Sequence, residues 1–562
     1  MGSQAISRIL GTFVLSATVA VTLFVSPWYS LDPVNLPKLV LLGISGIVIA
    51  ALGLSGLSSM TIRDNKWLLI TIGLFIAALS TSLISSPSDF SFKFYGSPSR
   101  NTGYLAYVCL AFIAFGSAIA SSVLLMRKMV FALLSIGAVL AIYGLAQWQG
   151  LDFFDYVNVY SSDVFGTFGN PNFQSAFMGM VAATCMTWTL FGKSNLTIRT
   201  GLLMLVVLAL LNVKLSSEQG FMNFCAGLAG ATAIYLFATG KRFLYWCFLA
   251  GSSIASTILI MGIFNLGPLA DAVYKSSIKA RGFYWQAGVN MMTAHPILGV
   301  GPDGFGNWYR RSRTQSAAEY NAGIVSDSAH NVPLDLGTAG GFPLMIAYLG
   351  LILLTITSVV RKLRRGTEFD VLLASIVAAW IAYQAQSLIS INQLGLGIWG
   401  WALMGLIIGY EINTRNENQT VWNKSAQRIV KHNDIIPVSV LLATIGAGVI
   451  GFMVSLPPYL SANKYYKAIQ LADARTLQEA AYLKPYDRTR FLYTVEILAS
   501  NKLDSQAIAI LEDAAVIYPD SFELWQQWSQ IPSATNDQKA KALAEMKRLD
   551  PFNPALTSHP KN

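Results

Sequence analysis

A chain of 562 residues that is 54% hydrophobic and only 12% charged carries more apolar surface than a soluble core can bury, so lipid must cover part of it. That excludes a water-soluble globular protein and defines an all-α polytopic membrane protein. The net charge of +10 does not imply nucleic acid, because the cations are dispersed at the ends of apolar runs and form no phosphate-tracking stripe. Cys109, Cys185, Cys225 and Cys247 all lie within apolar runs with no Cys-x-x-Cys spacing, which argues against a disulfide framework or a zinc site.

Crossing about 30 Å of hydrocarbon takes roughly 20 apolar residues. Thirteen runs of about that length lie near 9–26, 37–57, 67–84, 104–123, 129–149, 171–191, 201–216, 220–238, 243–264, 341–360, 371–391, 394–412 and 435–456. The first lacks a small-residue cleavage site and is expected to stay as a helix. With the N-terminus in the cytoplasm, the short inner loops hold Arg63, Lys66, Arg127, Lys128, Lys193, Arg199, Lys241, Arg242, Arg361, Lys362, Arg364, Arg365, Arg415, Lys424, Arg428 and Lys431. The short outer loops hold only Lys38, Lys93, Arg100 and Lys214. This bias follows the positive-inside rule. It predicts that a long loop, 266–340, and the C-terminus are extracytoplasmic.

Polar chemistry gathers outside. Tyr95 to Gly103 sets Arg100 on a Gly/Pro turn, where an interfacial arginine could also simply snorkel to headgroups. Asn170 and Asn172 flank Pro171 at the start of a helix, a place for ordinary N-capping or for binding sugar hydroxyls and phosphate oxygens. Lys214 and Glu218 are spaced to pair as i and i+4. In the long loop, Arg281 to Gly288 reads as an interfacial helix with Trp285 on its aromatic side. The turn-rich stretch His295 to Gly304 matches a dinucleotide fingerprint only by accident, since no strand precedes it. Arg310, Arg311 and Arg313 read as a headgroup-binding cluster. Asp327 and His330, three apart, would share a face of a helical turn, with the carboxylate orienting the imidazole and raising its basicity.

Beyond 456 the chain becomes charged and Ala-rich. Pro485, Pro519 and Pro551 recur at spacings of 34 and 32, each after an amphipathic helical pattern. That is the period of tetratricopeptide-like hairpins, giving a membrane domain at 1–456 and a helical-repeat domain at 457–562 that serves as a binding platform or a cap.

The ordered set of the Arg100 loop, Gly166-x-x-Gly169-Asn170-Pro171-Asn172, Arg281-x-x-x-Trp285, His295-Pro296-x-x-Gly299-x-Gly301 and Ser328-Ala329-His330-Asn331 resembles the O-antigen ligase and polymerase superfamily. That superfamily includes bacterial O-oligosaccharyltransferases. The resemblance spans about residues 5–456 in topology and implies glycan transfer, at the outer face of the cytoplasmic membrane, from a polyprenyl-diphosphate carrier to an acceptor hydroxyl on lipid, protein or growing glycan. It implies an inverting transferase with no cofactor and no metal, whose essential arginine and histidine fit Arg281 and His330. Arg100, Asn170, Asn172, Trp285, Lys214 and Asp327 are the further candidates for substrate binding. Related proteins often carry an arginine where this chain reads Lys214 to Gly220, so Lys214 is the candidate replacement. A polymerase is the nearest alternative. A transporter of lipid-linked sugars would show two related halves with broken helices and mid-membrane charges, and the sequence shows neither.

Overall fold

The computed structural model describes residues 3–26, 31–154, 162–366, 368–421 and 437–557. Lys424, Arg428 and Lys431 lie outside them. Among the described residues the chain is helical and without strands. Its principal helices are α1 (Ser3–Leu23), α2 (Asn35–Ser55), α3 (Lys66–Ser85), α4 (Tyr104–Ile119), α5 (Val123–Trp148), α6 (Pro171–Phe191), α7 (Leu196–Ser216), α8 (Gln219–Ala238), α9 (Arg242–Ile263), α10 (Ser276–Ala294), α11 (Phe305–Ser312), α12 (Val332–Arg365), α13 (Val371–Ser387), α14 (Leu394–Val421) and α15 (Val438–Ser455). A C-terminal set follows as α16 (Pro457–Leu471), α17 (Ala474–Ala481), α18 (Arg488–Ser500), α19 (Asp504–Ile517), α20 (Phe522–Gln530) and α21 (Asn536–Leu549).

In its described part each of the thirteen apolar runs falls on a helix, and ten candidate spans are long and apolar enough to cross a bilayer among the described residues. Three others depart from that standard for local reasons. α4 and α13 are short. α6 has full length but carries Gln174, Ser175, Thr184 and Thr187 buried among α5, α7, α8 and α13. A helix sheathed in protein needs no lipid-facing apolar surface, and its hydroxyls bond to its own carbonyls or to neighbours. At the other extreme, only 6% of the apolar window of α9 is buried, so nearly all of it is left for lipid, whereas 94% of that of α14 lies inside the bundle.

α12 begins nine residues before the apolar run that announced it. The Asn331 side chain accepts from Leu334 N at 2.9 Å, and Pro333 sits in the first turn, so the helix is capped well ahead of its membrane segment. Helical geometry then breaks at Gly340 and Gly341. Three of the four cations expected in outer loops are interior. Lys38 Nζ donates to the carbonyls of Val21 at 2.8 Å and Thr22 at 2.7 Å, closing the C-terminal end of α1. Lys93 Nζ likewise reaches Ser86 O at 2.5 Å, and Arg100 is buried among carboxylates.

The C-terminal helices pair as α16 with α17, α18 with α19 and α20 with α21 around their own core of Tyr465, Phe491, Leu511, Trp525 and Trp528. Each pair is followed by one of the recurring prolines, Pro485, Pro519 or Pro551.

This set is bolted to the long loop by charge. Arg313 on the loop and Asp550 at the end of α21 are both 0% exposed at the side chain, and Arg313 Nη2 reaches the two carboxylate oxygens at 2.6 and 2.8 Å. Arg310 pairs with Asp550 at 3.3 Å and Glu523 at 3.4 Å, and Arg311 with Asp520 at 2.9 Å. The expected headgroup cluster is therefore an interdomain clamp, because each of these guanidiniums is paired with a carboxylate of the C-terminal helices. Removing one partner of a buried pair strands the other, at about 3–5 kcal/mol. Asp550→Ala is thus expected to lower the thermal midpoint of the detergent-solubilised protein, and Arg313→Met with Asp550→Leu to recover most of the loss. A midpoint equal to wild type in Asp550→Ala would show that the clamp contributes nothing.

Candidate active site

The site begins at the break in α12. Gly341 has φ of +68°, and a Cβ there would stand 2.4 Å from Pro296 O, so only glycine lets the two backbones approach. Val300 N and Gly301 N donate to Thr338 O and Ala339 O at 2.8 and 3.0 Å, satisfying carbonyls that the break frees. The glycine-rich stretch after His295 is therefore a clasp for a kinked helix. It holds no nucleotide-binding strand and turn. His295 closes α10 with its ring edge-on to Trp308, centroids 4.7 Å apart, and is not brought to His330.

At the other end of the same helical segment, Asp335 organises the residues ahead of α12. Its carboxylate accepts from Ser328 Oγ and from Ala329 N, both at 2.6 Å. Ser328 Oγ in turn accepts from His330 N at 2.9 Å. These bonds curl 326–331 over the helix start and hold His330 in the left-handed region, φ +52°. Its ring stacks on Tyr284 of α10, centroids 5.5 Å apart and 29° between planes, and its Nδ1 is enclosed with no hydrogen-bond partner.

Asp327 raises the basicity of His330 as expected, but not from a shared helical turn. Residues 325–331 are not helical, and the Asp327 carboxylate faces Arg100 Nη1 at 3.3 Å. Arg100 Nη2 also reaches Asp303 at 3.4 Å, while Asp303 accepts from Ser97 N at 2.6 Å. Arg100 is thus no snorkelling residue. Burial opposes its charge, but Asp327, Asp303 and Asp335 outweigh burial and hold it firmly protonated. With its charge already matched, it ties the loop 95–103 to 303 and 327.

Arg281 is the contrast. It lies one turn ahead of Tyr284 on α10, and among the described residues it makes no ion pair with a carboxylate; its Nε is enclosed without a partner. Burial lowers its pKa, with partial relief from Tyr284. Trp285, beside Tyr284, has its indole N–H enclosed and unpartnered. The imidazole of His330 is pushed down to about 4, first by burial and then by the positive field of Arg281; Asp327 only partly opposes this. His330 is therefore neutral at pH 7, with a free ring nitrogen beside an unmatched guanidinium.

The remaining candidates sit elsewhere. Asn170 Oδ1 caps α6 by accepting from Asn172 N at 2.9 Å, and among the described residues no contact joins either asparagine to Arg281 or His330. Lys214 is exposed on the last turn of α7 and unpaired with Glu218, which reaches Lys275 at 3.4 Å instead. Tyr284, Asp303 and Asp335 were not singled out by sequence. Asp335 did carry a signal, an acidic residue in the first turn of a Pro-started helix.

Taken together, these elements define an all-helical membrane protein with a polar site where a loop folds back on a kinked helix. Residues 203–349, running from α7 through the loop into α12, match the family model described as O-antigen ligase. This match supports the O-antigen ligase superfamily and a membrane glycosyltransferase of ligase or polymerase-related type. It encloses Lys214, Arg281, Trp285, Asp327 and His330. None of the curated proteins matches the chain.

Proposed function

We propose that the protein transfers a glycan from a polyprenyl-diphosphate carrier to an acceptor hydroxyl at the outer face of the cytoplasmic membrane, in ligase or oligosaccharyltransferase fashion. The observation that carries this reading is the pairing of an unmatched Arg281 with a neutral His330. A diphosphate leaving group accumulates negative charge as the glycosidic bond breaks, and a fixed guanidinium in a partly dry site stabilises it. The neutral imidazole accepts the proton of the attacking hydroxyl. Arg100, through Asp327 and Asp303, fixes the loop that faces this chemistry. The helical pairs α16 to α21 act as a tetratricopeptide-like platform held over the loop. With a growing glycan as acceptor, the same site would polymerise.

Transfer from purified carrier-linked donor to acceptor, followed by the appearance of free polyprenyl diphosphate, tests the reading. Absence of any released carrier from wild-type protein supplied with donor and acceptor would sink it. The orientation rests on the bias of cations toward inner loops. A periplasmic-type reporter inserted near Arg313, or fused after position 562, is expected to be active, and one near Arg364 inactive. The reverse pattern would place the site on the wrong side of the membrane.

A further inference from the structure

Behind the Arg100 loop lies a partly open cavity of about 140 Å³ between the membrane domain and the C-terminal helices. Its volume corresponds to on the order of ten waters, the bulk of a sugar ring. Asn101, Tyr486, Tyr493 and Tyr518 line it. Asn101 and Tyr518 are 3% and 7% exposed, and Asn101 Oδ1 and the Tyr518 hydroxyl are sealed from solvent without a hydrogen-bond partner. Buried polar groups without partners are costly, and both of these belong to residues of the cavity wall.

The lining selects the ligand. Its charges are already spent, since Asp32 accepts from Val34 N and Asn35 N at 3.0 and 2.7 Å, Asp487 caps α18 by accepting from Thr489 N at 2.8 Å, and Arg488 donates to Asn307 at 2.8 Å. Among the described residues that leaves no free cation for a phosphate, while the bare amide oxygen and phenol disfavour an acyl chain. Aromatic faces beside a lone acceptor and a hydroxyl suit a ring with apolar C–H faces and equatorial hydroxyls. We propose that this cavity is a saccharide-binding subsite, formed jointly by the Arg100 loop and the C-terminal helices. Its position fits the transfer reaction on which the proposal rests. The loop 95–103 is a shared wall, with Asn101 lining the cavity and Arg100 paired with Asp303 and with Asp327, whose charge His330 senses. The saccharide held here is either the acceptor glycan or the distal end of the donor glycan.

Two variants spare the fold, namely Tyr493→Ala at a ring 46% exposed and Tyr518→Phe, which deletes only the hydroxyl. In full-length protein with donor and acceptor varied separately, each is expected to raise one KM about five- to tenfold and to leave kcat within about twofold. A rise confined to the acceptor KM assigns the subsite to the acceptor, and one confined to the donor KM assigns it to the donor glycan. Both KM values unchanged, or a fall in kcat alone, would overturn the subsite. Binding is read independently of transfer by saturation-transfer NMR, using the donor saccharide freed from its carrier by mild acid and, separately, the acceptor saccharide. Ring-proton signals from one of them are expected with wild type and with His330→Ala, and are expected to need about five- to tenfold more saccharide with Tyr493→Ala. Titrations unchanged in both Tyr493→Ala and Tyr518→Phe, or signals missing with both saccharides in wild type, refute the subsite even if transfer itself is intact.

Discussion

His330→Ala is expected to lower the rate of glycan transfer by about 10² to 10⁴, the usual worth of a positioned general base, while the carrier-linked donor still binds. The imidazole is held by its own backbone bond to Ser328 and by the Tyr284 face, so truncation removes a ring without unravelling the Asp335 clasp beneath it. His330→Gln is not expected to restore the rate, because an amide donates and accepts hydrogen bonds but cannot take the proton. His295→Ala serves as the comparison. Its ring packs on Trp308 at the end of α10, so the expected defect is milder and falls on stability. Retention of transfer in His330→Ala with loss in His295→Ala would discard the proposed base. The reaction is also expected to survive EDTA, since the site supplies a base and a cation from its own side chains.

The low pKa of His330 makes a further demand on this mechanism. In the free protein the base is fully competent above about pH 4, so kcat/KM should show its acid limb near there and not near the ordinary histidine value. A bound diphosphate offsets the field of Arg281 that helps to depress the imidazole. The acid limb of kcat, which reports the donor complex, is therefore expected to lie higher than that of kcat/KM. Removing the charge in Arg281→Ala should likewise move the limb of kcat/KM upward, by less than the full return to 6.5 because burial, the larger cause, remains. An acid limb at the same pH in wild type and Arg281→Ala would mean that the two groups do not sense each other.

The membrane helices were readable because the solvent imposes their length and composition. The helix starts were read less well where capping, not hydropathy, decides them, as at Asn331 and Pro333. Arg281 and His330 sense each other across Tyr284 of α10, and Asp327 does raise the basicity of the imidazole, but from a loop and not from the helical turn that its spacing suggested. Local spacing assumes a helical turn, and Ser328 and Asp335 impose a curl instead. The arginine cluster was misread for a related reason. A sequence shows three cations in four residues but not that Asp520, Glu523 and Asp550, more than 200 positions away, are their partners. Asn170 and Lys214 stood out by chemistry, but the fold employs the first as a cap and leaves the second on the helix surface.

Arg281→Lys tests whether the unmatched cation is a shaped contact or a general field, and it is expected to lose most of the transfer activity despite keeping the charge. A planar guanidinium presents two parallel donors to phosphate oxygens, whereas an ammonium on a flexible stem is a compact charge that hydrates more strongly and loses more when buried. Arg281→Ala should fall further, on the order of 10² to 10³, the range seen when one preorganised donor to a developing anion is deleted. Neither change should unfold α10, because Arg281 forms no ion pair among the described residues and the helix is anchored by Ala287 and Met291 in the core with Tyr309. The partition between constants separates the roles. If the guanidinium acts on charge that appears only as the carrier departs, kcat and kcat/KM fall together; if it merely holds the donor, KM rises and kcat stands. Arg100→Lys is the control for field alone. Its charge is already matched by Asp303 and Asp327, so its loss should appear as loosening of the loop and a lower thermal midpoint. Near wild-type transfer by Arg281→Lys would reduce Arg281 to a diffuse positive field and leave the stabilisation of the leaving diphosphate to another group.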